Sequence, residues 1–173
     1  DRLRVCYRVE NSDNKELLFS VGAHPAFKVP LAPDTTYDDY YLLFDEEENA
    51  GIWPIDQSGE IASSPTPYLE ATRTLPLKKS LFYNDALVFK DLRSRTVRLK
   101  SDRTPYEITV AFEGFPYMGI WAAKDADFVC IEPWCGLGDS QAATGELADK
   151  EGINRLSPGE TFEREWSAQF YAH

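Results

Sequence analysis

The chain has 173 residues, a formal net charge of −11, and 43% hydrophobic and 13% aromatic residues. That is enough apolar material for one domain with a sizeable core, and too much for a disordered chain. The acidic balance, with a sequence pI near 4.6, excludes the basic footprint that nucleic acid or an anionic membrane surface requires, and it fits a soluble protein with a small or neutral ligand.

The first element, "RLRVCYRVE" (2–10), alternates Leu3, Val5, Tyr7 and Val9 with Arg2, Arg4, Cys6 and Arg8. Period two over this length predicts a strand buried on one side. The opening "DRLRVCYRVEN" has no apolar core or cleavage site of a signal peptide. It lacks an initiator Met and begins inside a strand, so a piece of a longer protein is expected. "ELLFSVG" (16–22) is a shorter apolar run, read as a strand near the core. "LAPDTT" is a turn, and "DEEEN" (45–49) is expected to be a solvated loop, since the calcium-loop pattern is absent. "QSGE" and "SSPTP" are further turns, followed by the strand "DALVF" (85–89). "TVRLKS" (96–101) and "PYEITVAFEG" (105–114) alternate on either side of the turn "SDRTP". "DFVCIEPW" (127–134) is a buried strand. The best helix candidate, "SQAATGELADKEG" (140–152), is interrupted by Gly145. After the turn "SPGE", "TFEREWSAQFYA" places Phe162, Trp166, Ala168 and Phe170 on one face. No run reaches the ~18 apolar residues of a membrane span. The pattern predicts a single all-β domain over 1–173, an antiparallel sandwich with long loops.

Four residues stand out, and the cysteines need a reading of their own. His24 is one of two histidines and lies in "GAHPAF". A core histidine bonded to backbone is the plain reading. Pro25, however, holds residue 24 in extended geometry, Gly22 gives the backbone freedom, and Val21 and Phe27 supply apolar walls, so the imidazole can be aimed into a cleft. Glu132 ends a buried strand on the same face as Phe128 and Cys130. An unpaired buried carboxylate is costly, so it is either salt-bridged to an arginine or kept as a base in a partly desolvated pocket. Trp134 is either a core tryptophan or a platform for a sugar face. Asp85, after Asn84, either caps a turn or presents a carboxylate to ligand hydroxyls. The cysteines, Cys6, Cys130 and Cys135, cannot all pair and lack a zinc spacing, so they are read as mostly buried free thiols in a reducing, cytoplasmic compartment. No nucleophile elbow, phosphate loop or metal-ligand cluster is visible, so neither metal nor cofactor is expected. His24 with Glu132 suits proton transfer at a sugar or a carbonyl.

"FSVGAHPAF", "LFYNDALVF", "IEPWCGLGDS" and "KEGINRLSPGETFEREW" together resemble the aldose 1-epimerase (galactose mutarotase) family, nearest its LacX-like, galactose mutarotase-related subgroup, from about Val5 to Trp166. The resemblance implies a β-supersandwich and an isomerase that interconverts hexose anomers in carbohydrate metabolism. It implies that His24 is the acid protonating the ring oxygen from across the sugar, that Glu132 is the base at the C1 hydroxyl, and that Asp85 holds sugar hydroxyls. Trp134 and Phe27 would complete the sugar contacts. Family members carry an amino-terminal half, with a substrate-binding arginine and another histidine, that this chain lacks. An open edge at the first strand, self-association and weakened activity are therefore expected. A non-catalytic sugar-binding protein and a hexose-6-phosphate 1-epimerase, using Lys78 and Lys79, are the alternatives.

Overall fold

Alternating apolar residues have one way to leave water, which is to pair side by side and stack face to face. In the computed structural model, residues 1–172 are described, and among them thirteen strands form. They are β1 (Arg2–Glu10), β2 (Leu17–Phe19), β3 (Val21–Gly22), β4 (Ala26–Lys28), β5 (Tyr40–Ile52), β6 (Thr66–Pro76), β7 (Leu87–Phe89), β8 (Thr96–Ser101), β9 (Thr104–Ala111), β10 (Tyr117–Trp121), β11 (Phe128–Cys135), β12 (Asn154–Leu156) and β13 (Thr161–Tyr171). An antiparallel six-stranded sheet has the order β1-β13-β9-β8-β5-β6. A five-stranded antiparallel sheet has the order β3-β11-β10-β7, with β4 also paired to β11. β12 and β2 form a small ribbon. The architecture is the expected all-β one. Among the described residues there is no α-helix, and the interrupted candidate at 140–152 supplies one 3₁₀ turn, Leu147–Asp149. Among the described residues no helix is long and apolar enough to cross a membrane.

The core is one cluster shared by the two large sheets. The six-stranded sheet supplies Leu42, Phe44, Val97, Leu99 and Val110, and the five-stranded sheet supplies Phe89, Met118, Ile120, Val129 and Ile131. None of these ten is more than 1% exposed. Because side chains alternate along a strand, β11 turns Val129, Ile131 and Cys135 inward and Cys130, Glu132 and Trp134 to the other face.

The expected solvated loop at 45–49 is instead part of β5. Glu48 is fully buried and its carboxylate accepts the backbone N–H groups of Arg93 and Ser94 at 3.0 and 2.8 Å. Asp45 accepts those of Arg95 and Thr96 at 3.0 Å each. The acidic run thus caps the segment leading into β8, while register shifts in the β5–β6 ladder accommodate its polar residues.

Among the described residues β1 pairs with β13 alone, so its outer edge carries no strand in this sheet. The ladder puts Leu3 in line with Ala168 and Val110, and Phe170 in line with Ile108. The apolar face therefore runs out toward this edge, where Leu3, Phe170 and Tyr106 are exposed.

Candidate active site

β3 and β4 both lie against β11, and their registers agree: Trp134 faces Gly22, and Cys130 faces Ala26. The position opposite Glu132 is therefore residue 24. Proline has no N–H to donate, so the ladder is broken at Pro25. Its neighbours keep the alignment, with Ala23 N–H donating to the Pro133 carbonyl at 3.0 Å and Ile131 N–H to the Pro25 carbonyl at 3.3 Å. His24 is a cross-strand neighbour of Glu132, and its Nδ1 lies 2.9 Å from Glu132 Oε1. The salt bridge to an arginine that the sequence left open is not formed; the carboxylate's partner is this imidazole.

The two groups differ sharply in setting. The His24 side chain is 61% exposed, and that of Glu132 only 8%. The imidazole packs against Trp121, whose ring centroid is 5.7 Å away, and Trp121 packs in turn on Phe128. Burial pushes the Glu132 carboxyl up to about 7, partly offset by a hydrogen bond from Trp134. Cys130 sits beside them, its thiol pushed up to about 12 by burial and by the Glu132 charge. It therefore keeps its proton near neutrality and is no nucleophile.

Trp134 lies across the sheet on two glycines. A Cβ on Gly119 would come within 2.4 Å of its Cζ2, and one on Gly22 within 2.7 Å of its Cδ1. Gly22 serves by having no side chain rather than by conformational freedom: it does not adopt a positive φ. Gly119 is the β10 neighbour of Glu132, so the indole is laid down beside the carboxylate.

Phe27 is not at the site. It pairs with Val129, is 7% exposed and belongs to the core cluster on the opposite face of the sheet from Glu132. Alternation from Ala26, which faces Cys130, sends it inward, and its role is to seat β4. Asp85 stands apart from the pair. It is exposed and has a φ of 155°, a conformation L residues rarely adopt, with its carboxylate accepting the Ala86 N–H at 2.6 Å. It leads into β7, whose Val88 aligns with Gly119 and so with Glu132, two strands or roughly 10 Å away. Asp85 also lines a cleft with Asn84, Leu81, Tyr68 and Ile52. A second shallow cleft, formed by Ser20, Val21, Gly136, Leu137 and Gly138, abuts Trp134. The pair itself opens to solvent.

The Trp121 support, the Gly119 seat and the placement of Cys130 beside both acid–base groups were not found from sequence. The signal for the first two was "YMGIW" (117–121), an apolar run with a glycine at its centre. His24, Cys130 and Glu132 offer one donor atom each, all within 4.8 Å of one another, a grouping that no sequence spacing displays.

No family model matches the chain. It is 32% identical over 168 residues to the LacX protein of Lactococcus lactis, covering 95% of this chain and 56% of that protein. A galactose mutarotase related enzyme from Lactobacillus acidophilus superposes with a TM-score of 0.89 at 29% identity, over 99% of this chain and 58% of that one. A galactose mutarotase-like protein from Lactobacillus casei gives a TM-score of 0.82 at 27% identity, over 97% and 58% of the two chains. A galactose 1-epimerase from Lactobacillus acidophilus shares the fold, with a TM-score of 0.64 at 15% identity. The chain spans just over half the length of the relatives it matches.

Proposed function

Because the chain belongs to the LacX-like, galactose mutarotase-related group, we propose that His24 and Glu132 interconvert the α and β anomers of a hexose. The observation that carries this reading is their 2.9 Å contact, with one partner buried and the other exposed. The two protons exchanged in mutarotation belong to oxygens bonded to the same carbon, the ring oxygen and the C1 hydroxyl. An acid and a base side by side on one sheet face suit that geometry, whereas the sequence expectation set them on opposite sides of the ring.

Ionised Glu132 takes the proton from the C1 hydroxyl while protonated His24 donates one to the ring oxygen. The C1–O5 bond breaks and a C1 carbonyl forms. Rotation about C1–C2 exposes the other face, and closure returns both protons. A carboxyl near 7 is matched to proton transfer close to neutrality. Trp134 beside Glu132 offers an apolar face to the sugar, and Asp85, held in a strained conformation at the cleft two strands away, binds distal hydroxyls. The proposed reaction belongs to carbohydrate metabolism, takes a free hexose as its partner and needs no cofactor, and the free cysteines suit a reducing cytoplasm.

Of the two lysines behind the phosphate alternative, Lys79 is already engaged. Lys79 donates to the Asp125 carbonyl at 2.9 Å and pairs with Asp127 at 2.7 Å, so it is not free to receive a phosphate. The binding-module alternative keeps one observation in its favour, the open position of the pair. Polarimetry on freshly dissolved α-galactose and α-glucose separates the two. Catalysis by the wild type that Glu132→Gln abolishes supports the enzyme. Sugar binding with no change in the rotation rate supports the module.

A further inference from the structure

We propose that His24, Cys130 and Glu132 form a three-donor site for a borderline-soft divalent cation, with Zn2+ the best match, and that filling it switches the acid–base pair off. The switching half rests on the proposed mutarotase reading; the binding half does not.

The geometry comes from the register. Strand alternation puts Cys130 and Glu132 on one face of β11, and the β3–β11–β4 alignment puts His24 opposite Glu132. The residue opposite Cys130 is Ala26, so no long side chain comes from that position to separate thiol and imidazole. The three donor atoms lie within 4.8 Å of one another, and His24 Nδ1 and Glu132 Oε1 are 2.9 Å apart. Around a tetrahedral Zn2+ with bonds of about 2.0–2.3 Å, donors sit roughly 3.3–3.8 Å apart. Cys130 and Glu132 are fixed by their strand. The exposed imidazole is the arm with room to adjust, so small movements suffice.

The donor set selects the ion. Sulfur, nitrogen and one carboxylate oxygen suit Zn2+, whereas Mg2+ and Ca2+ require mostly oxygen donors. Three protein ligands leave the fourth position open on the solvent side of His24, for water or a sugar hydroxyl. As the metal–sulfur bond forms, the thiol proton passes to solvent. The ion also occupies the imidazole nitrogen and the carboxylate that the reaction uses. The acid–base reading gives Cys130 no role, so its removal separates metal binding from turnover.

The test uses the whole chain carrying Cys6→Ser, which removes the exposed thiol near Glu165. Zn2+ affinity is measured by competition with a chromophoric chelator, and Co2+ is added to look for a thiolate-to-metal charge-transfer band. The expected result is one ion per chain with that band present. Cys130→Ala should weaken Zn2+ by more than about 100-fold, since even an outer-shell partner of a metal ligand is worth 10–100-fold. That variant should keep its anomer exchange while losing inhibition by Zn2+. The Co2+ spectrum of the Cys130-containing chain decides the matter even where the variant does not fold: a complex without the thiolate band overturns the site. Unchanged Zn2+ affinity in folded Cys130→Ala overturns it too. Exchange that continues under saturating Zn2+ overturns the switching half. Zn2+ bound through Cys130 in a chain with no exchange activity supports the site and refutes the mutarotase reading instead.

Discussion

Glu132→Gln separates the electrostatic cost of the site from its chemistry. The carboxyl is raised from 4.5 to about 7, with burial the largest cause. Between those two pH values the folded protein holds a proton that the unfolded chain releases. Stability therefore falls as pH rises through this window and stays low above it. At about 1.4 kcal/mol per unit, ionised Glu132 costs the fold about 3 kcal/mol. The side chain is only 8% exposed, so solvent screening removes little of this, while local relaxation makes it an upper bound. Glutamine keeps the size and an acceptor oxygen but never ionises. The variant should therefore unfold at a higher temperature than the wild type at pH 8, by up to roughly 6–12 °C for a chain of this length, and with little difference at pH 4.5. The same substitution should lower anomer exchange by about 10²–10⁴-fold. Thermal unfolding followed by circular dichroism at the two pH values is the assay. A shift of equal size at both, or a loss of stability confined to pH 8, would refute the assignment of a buried, costly carboxylate.

Exchange activity should fall as pH drops through about 7, because the base must be ionised; a rate unchanged between pH 5 and 8 contradicts Glu132 as the base. Gly119→Ala should displace Trp134, whose Cζ2 lies 2.4 Å from the new Cβ, costing about 1–3 kcal/mol in stability and lowering sugar affinity, measured by denaturant unfolding and titration calorimetry. The open edge of β1 with exposed Leu3 and Phe170 should drive concentration-dependent self-association, seen as a rising mass in light scattering and reduced by Leu3→Lys; a monomer at every concentration refutes it.

The parts legible in the sequence were those where one strand's pattern sufficed. β1, β8, β9 and β13 stand out because alternation reports a strand with one wet face. The middle of β5 was hidden because its carboxylates are satisfied by backbone N–H groups nearly fifty residues away, a pairing that leaves no local trace. At the site, Pro25 and the buried end of β11 marked His24 and Glu132 as unusual. Their direct contact depends on register between distant strands, which composition does not carry. The same blindness misplaced Phe27: it is one residue from Ala26, and one residue is enough to change faces. Gly22 stands out in the sequence, but its reason, the indole of Trp134 lying over it, requires the fold.

The central claim is that two touching side chains move protons on and off a hexose. Magnetisation exchange between the α and β anomeric protons, measured by NMR at equilibrium, observes that step without a change in sugar concentration. The account predicts faster exchange with the wild-type chain than in buffer, and a return to the buffer rate in both His24→Asn and Glu132→Gln. Exchange that stays fast in either variant, or sugar that binds the wild type while exchanging at the buffer rate, would contradict it.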